Sequence, residues 1–282
     1  MTVHELMLKT NHHLIKGGEL TGPQKEDIVR WFLAARSNER TKQSFYKGVR
    51  YPGNIDENGG GRRYPAYFIP PYNNGKKFQT VIPLTPKTHI LAANAYELEI
   101  IRLLHMFAPD NRDVHDMVEG ALERLKTTCY GYHDCAVGEC FHTALIVLRF
   151  IAATAPDDAI WINKLLAFFK RHMDEKLSLR SKGVHGNVLW YYWLCLSELP
   201  YEFAEPEIIR YKDKILPQLN RSAVMNNEND KINHPVLICM IRNVMARLPE
   251  YGYIKNRQPY VREKDGRLHF DMTQNLLEYE GN

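Results

Sequence analysis

The chain has 282 residues, 44% hydrophobic and 25% charged, with a formal net charge of +4. These values exclude a disordered or fibrous chain and suit a globular protein that buries a real core. The charge is too small to demand a polyanionic partner, although it permits one.

The opening MTVHELMLKTNHHLIKGG is amphipathic, with no apolar run of the kind a signal peptide or anchor needs. The longest apolar stretch, LWYYWLCL, is too short to cross a bilayer. The expectation is a cytoplasmic protein with no membrane partner. Its five cysteines, an odd number, are expected as reduced thiols.

Residues 3–16 place Leu6, Leu8, Leu14 and Ile15 on a broad apolar face, and Gly17-Gly18 ends that helix. A second helix begins near Thr21, with Pro23 in its first turn and Glu26 and Asp27 at the positive end of its dipole. Residues 1–36 thus read as a helix pair. From residue 37 to 87 the helical period stops. Two strand-like runs, AYFI and KFQTVI, flank Pro70-Pro71 and an N-N-G turn, which suggests a loose hairpin within an irregular insertion. The fragment GNIDENGGGRR lacks the strand-to-helix context of a phosphate-binding fingerprint and reads as a solvated loop.

Residues 88–253 contain four apolar segments that each run into a proline: ELEIIRLLHMFAPDN, ALIVLRFIAATAPDD, VLWYYWLCLSELP and VLICMIRNVMARLP. Pro109, Pro156, Pro200 and Pro249 are 47, 44 and 49 residues apart. A period of this size marks helical hairpins, because each pair buries its apolar face only against the next. Proline ends the first helix of each pair, lacking an N–H and crowding the turn before it. The tail, residues 254–282, carries K-D-G between YVRE and RLHF and reads as a small β-hairpin. The fold class is therefore all-α: one domain of about five antiparallel helical hairpins, the last incomplete. In layout it resembles HEAT and armadillo superhelices and, less closely, α/α-toroid enzymes; no catalytic residues come with that likeness.

Aligning the segments on their prolines produces columns. Fourteen or fifteen residues before the proline stand Asn94, His142, His185 and His234; seven before it stand Arg102, Arg149, Trp193 and Arg242. Seven residues at about 100° each return nearly to the same face, so Arg149 lies over His142. Histidine at helix starts beside arginine can bind an anion and supply a base near neutral pH. The competing reading pairs the arginines with acids of a neighbouring helix, such as Glu97, Glu99 or Glu198.

The leading expectation is a binding protein whose concave face, lined by Asn94, His234, Arg102, Arg149, Arg242 and Trp193, holds an anionic small molecule, peptide or nucleic acid. A second is a toroid-type lyase or hydrolase on an acidic sugar, with His142 or His185 as base and Tyr191 or Tyr192 as proton donor. A third is a DNA-binding or base-removing protein, with Trp193 stacking and arginines on phosphates. No cofactor is expected, and the sequence sets no oligomeric state. In TTCYGYHDCAVGECFH, Cys135, Cys140 and His142, with Cys129 or His133, have the atoms for zinc but lack a C-x-x-C pair, so metal is not the expectation.

Overall fold

The computed structural model describes residues 1–38, 67–70, 78–178, 185–218, 222–224, 228–254, 260–264 and 267–271; GNIDENGGGRR lies outside them. The described chain is predominantly helical. Its helices are α1 (Val3–Ile15), α2 (Gly22–Ala34), α3 (His89–Phe107), α4 (Arg112–Lys126), α5 (Cys129–Tyr132), α6 (Cys140–Thr154), α7 (Ala159–Ser178), α8 (His185–Glu198), α9 (Tyr201–Ile215) and α10 (Glu228–Met245). Two compact units divide it, one of Met1–Lys9 with Leu20–Val188 and one of Thr10–Glu19 with Leu189–Asn282.

Local chemistry sets the helix ends. Thr21 caps α2 reciprocally with Gln24: the Thr21 hydroxyl accepts from the Gln24 amide at 3.4 Å, and Gln24 Oε1 accepts from the Thr21 amide at 2.9 Å. The joints at Pro109 and Pro156 are near copies. Ala108 (φ −143, ψ 60) and Ala155 (φ −144, ψ 55) each leave the helix with the amide still bonded four residues back. The next helix is then capped by Asn111, which accepts from Val114, and by Asp158, which accepts from Trp161. Helix α8 also stops two residues before its proline, whereas α10 stops four before Pro249 and gives way to a 3-10 turn over Pro249–Ile254.

In the first unit α3 lies beside α6, with α4 against α3 and α7 against α6. Helices α3 and α6 are apolar on nearly every side, and almost all of their residues are buried. Helix α4 is apolar on one stripe only, burying Val114, Met117, Val118, Ala121 and Leu125 and leaving its other face to water. Fully burying one such apolar side chain stabilises by about 1.5–3 kcal/mol, so this pair of central helices dominates the core.

The two strand-like runs of the insertion adopt no strand where described. Tyr67–Pro70 and the residues after Phe78 are irregular. The reason lies in α3: Glu97, wholly buried, accepts from the backbone amides of Tyr67 (2.6 Å) and Phe68 (3.1 Å), so those N–H groups serve a carboxylate rather than a ladder. Phe68, Ile69, Val81 and Ile82 are buried in the same unit, and His4 stacks on Phe78 at 4.4 Å. In the second unit α9 packs on α10. The strands Ser222–Val224 (β1), Tyr260–Lys264 (β2) and Arg267–Asp271 (β3) pair there in the order β1-β3-β2, antiparallel throughout. Among the described residues no helix is long and apolar enough to cross a membrane.

Candidate functional site

The column residues of the first unit are buried and bonded to one another. Arg149, 1% exposed, donates Nη1 to both oxygens of Glu99 at 2.8 and 2.7 Å. Arg102 donates Nε to the same carboxylate at 3.2 Å. One acid of α3 thus holds two arginines, Arg102 of its own helix and Arg149 of α6, the second being the helix-to-helix pairing weighed against an open groove. Asn94 completes a second network: its Nδ2 donates to the Tyr130 hydroxyl at 3.2 Å, and its Oδ1 accepts from Arg124, which also meets Glu97 at 2.9 Å. All seven of these residues are buried. His142 is 9% exposed at the third position of α6, and His185 opens α8.

Tyr191, Tyr192, Trp193, His234 and Arg242 belong to the second unit. His234 is not at a helix start: α10 begins at Glu228, and Pro235 is accommodated inside it. The Tyr192 hydroxyl donates to Glu207 at 2.9 Å in the core, and burial together with that carboxylate pushes its acidity well below that of an ordinary phenol. A proton donor needs the opposite. Tyr191 is buried, and Trp193 packs edge-on against Trp190 at 5.3 Å with its Nε1–H enclosed and without an acceptor.

Arg242 differs from the other column arginines. It is 2% exposed, yet its hydrogen-bonding neighbour is the neutral Asn243 Oδ1, 3.4 Å from both Nε and Nη2, and Nη1 has no acceptor. The neighbouring α1 terminus supplies the rest of the site. Asn243 Nδ2 donates to the Ile15 carbonyl at 2.8 Å, and Gly17, exposed with φ +77, lies directly over the guanidinium: a Cβ there would stand 3.5 Å from Nη2. Arg242 and Lys16 both favour the Cys239 thiolate, although burial outweighs them and raises that thiol.

A second cluster forms in the first unit between α4 and α6. The sulfurs of Cys129, Cys135 and Cys140 lie within 4.8 Å of one another, Cys129 to Cys140 being 3.9 Å. His142, paired with Cys135 and Cys140 on sequence, is not in that group. Helix α5 is held tightly enough to aim Cys129: the Thr128 hydroxyl donates to the Leu125 carbonyl at 2.8 Å and accepts from the Gly131 amide at 3.0 Å. Trp161 Nε1 donates to the Gly131 carbonyl at 2.7 Å. The chain then reverses through left-handed Asp134 (φ 52) and Gly138 (φ 53), with the Cys135 amide returning to the Cys129 carbonyl at 3.3 Å. Glu139, just before Cys140, accepts from the Lys87 and Thr88 amides at 2.7 and 2.6 Å. Sharing a hydrogen with Cys129, and then burial, push the Cys140 thiol far above the usual range. Tyr130, Tyr132, Asp134, Cys135, Lys164 and Phe168 line a shallow cleft beside the cluster. Three separate features place this cluster, the glycine at 131, the left-handed Asp134 and Gly138, and the Glu139 carboxylate on the Lys87 and Thr88 amides, and none is a motif by spacing. No protein-family model, curated protein or solved structure matches the chain.

Proposed function

We propose that the protein binds an anion, a carboxylate or phosphate, at Arg242 and Lys16 in the second unit. The observation that carries this reading is the charge on Arg242, buried at 2% exposure without a carboxylate beside it among the described residues. An uncompensated buried charge costs several kcal/mol. The negative end of α1 offsets about 0.3–1 kcal/mol of that, and a neutral amide at long range adds little. A bound anion supplies the missing counter-charge, and a guanidinium fork meets a carboxylate or phosphate bidentately. Exposed Gly17 puts no side chain against Nη2, where a Cβ would stand 3.5 Å away, and exposed Lys16 adds a second cation.

The wider architecture we propose is a stack of helical hairpins, supported by the recurrent joints at Pro109 and Pro156, with the 260–271 strand pair closing its end. The five cysteines, none of them joined in a disulfide, support a reducing, cytoplasmic setting.

Thermal unfolding at constant ionic strength tests the anion site. Phosphate or citrate at 100 times its dissociation constant stabilises the native chain by about 2.7 kcal/mol, and chloride does not. Arg242→Met is expected to unfold at a higher temperature than the natural chain in chloride, since it removes a buried unpaired charge, and to lose the phosphate shift. An Arg242→Met protein that is less stable, yet still responds to phosphate, refutes the assignment.

A further inference from the structure

We propose that Cys129, Cys135 and Cys140 form a three-thiolate site for one soft divalent cation, Zn2+ by preference. The inference is independent of the anion site, which lies in the other unit and uses none of these residues.

Geometry is the first support. In tetrahedral zinc–thiolate coordination, Zn–S bonds of about 2.3 Å set sulfurs about 3.8 Å apart. Cys129 and Cys140 already stand at 3.9 Å, and all three sulfurs fall within 4.8 Å. Closing the triangle asks for side-chain adjustment and no refolding. Three protein donors is also the count at which zinc keeps an exchangeable fourth ligand.

The second support is that the loop is built to bring the three together. Cys195 and Cys239 are buried as small hydrophobes on helices, whereas the three clustered thiols are exposed or half-buried at the ends and middle of one reversal. That reversal uses two left-handed residues, Asp134 and Gly138, and a glycine at 131 where a Cβ would collide with the Leu125 carbonyl and Thr128 Oγ1. Asp134 holds the left-handed region although it carries a side chain, and Gly131 stands where no Cβ fits, so the path that brings the three thiols together is tightly set.

Charge supplies the third. Three thiolates around a divalent ion carry one net negative charge. Lys164, whose Nζ stands 3.6 Å from the centroid of the Tyr132 ring, lines the same cleft as Cys135 and supplies a positive charge there, while the Asp134 carboxylate nearby is matched by Arg171 of α7 at 2.6 Å. Soft sulfur donors select zinc over magnesium or calcium. Binding exchanges three S–H bonds for three metal–sulfur bonds and releases the protons to solvent, with no change of oxidation state.

The test uses the full reduced chain, stripped of metal with a chelator. Co2+ is expected to give a near-ultraviolet sulfur-to-cobalt band that saturates at one ion per chain and is displaced by Zn2+. In the native chain, maleimide labelling of these three thiols falls to none when Zn2+ is added and returns with chelator. Cys135→Ser lowers Co2+ affinity at least tenfold, by about the factor lost when even an outer-sphere partner is removed, whereas Cys195→Ala leaves band and stoichiometry unchanged. The assignment is overturned by any of three results: absence of the charge-transfer band, labelling that Zn2+ does not alter, or a Cys129–Cys140 disulfide, reversed by reductant but not by chelator, forming in place of metal uptake. The labelling arm needs no variant, so misfolding of a substituted chain cannot rescue or sink the proposal.

Discussion

Replacing Arg149 by methionine removes a guanidinium that is 1% exposed and contacts both oxygens of Glu99. Breaking a buried ion pair from one side costs about 3–5 kcal/mol, because the remaining charge stays buried without its partner. Arg102 remains on Glu99 at 3.2 Å, so the lower end, about 3 kcal/mol, is expected. For a unit of this size that corresponds to a fall in unfolding temperature of roughly 6–12 °C. Denaturant unfolding of Arg149→Met, Glu99→Gln and the double variant measures it, and the double variant should recover at least about 1 kcal/mol relative to the sum of the singles. If Arg149→Met loses less than about 1 kcal/mol, or the two singles simply add, Arg149 is not neutralised by Glu99. An open groove would then regain its claim on that arginine.

Two other outcomes follow from the same unit. Gly131→Ala drives a methyl against the Leu125 carbonyl and to 2.5 Å from Thr128 Oγ1; with backbone on one side the strain cannot relax cheaply, and a loss of about 1–3 kcal/mol in chemical denaturation is expected. His4 is held below the ordinary imidazole range, mainly by burial. Its folded pKa lies under its unfolded one, so the unfolded chain binds the proton first. The stability it contributes is present above the unfolded value near 6.5 and is lost as pH falls through the lower folded value. His4→Phe, which keeps a ring against Phe78, should therefore flatten the loss of stability between neutral and mildly acid pH. An unchanged acid limb in unfolding scans at several pH values would show that His4 does not carry it.

Much of the helical scaffold was legible because its signals are local. Proline removes a backbone donor and crowds the turn before it, and Pro109, Pro156 and Pro200 each follow a helix end by two residues. The choice between paired and exposed arginines was legible only as a choice: the sequence supplies Glu99 on α3 and Arg149 on α6, but the packing of those two helices makes them partners. The insertion misled because strand pattern is a weak signal beside a buried carboxylate that claims the amides of Tyr67 and Phe68. The thiol cluster was missed as a unit for a similar reason. Its spacing matches no finger, and a left-handed aspartate is not written in the letter D; only the dihedral at Asp134 shows that the chain turns back there. Counting back from Pro249 places His234 at a helix start, whereas α10 begins at Glu228 and runs through Pro235.

The paired joints at Ala108–Asn111 and Ala155–Asp158 have a bearing on how such a chain tolerates change. Each joint fixes the exit of one helix and the entry of the next with its own backbone angles and its own capping side chain. The direction of the turn is therefore encoded in a handful of consecutive letters. Away from the buried ion pairs, the helices on either side answer mainly to burial, which accepts many apolar residues of similar volume. Substitutions can accumulate along the helices while the joints stay constant. The likeness between these two joints then survives as short A-P-D punctuation rather than as aligned helices.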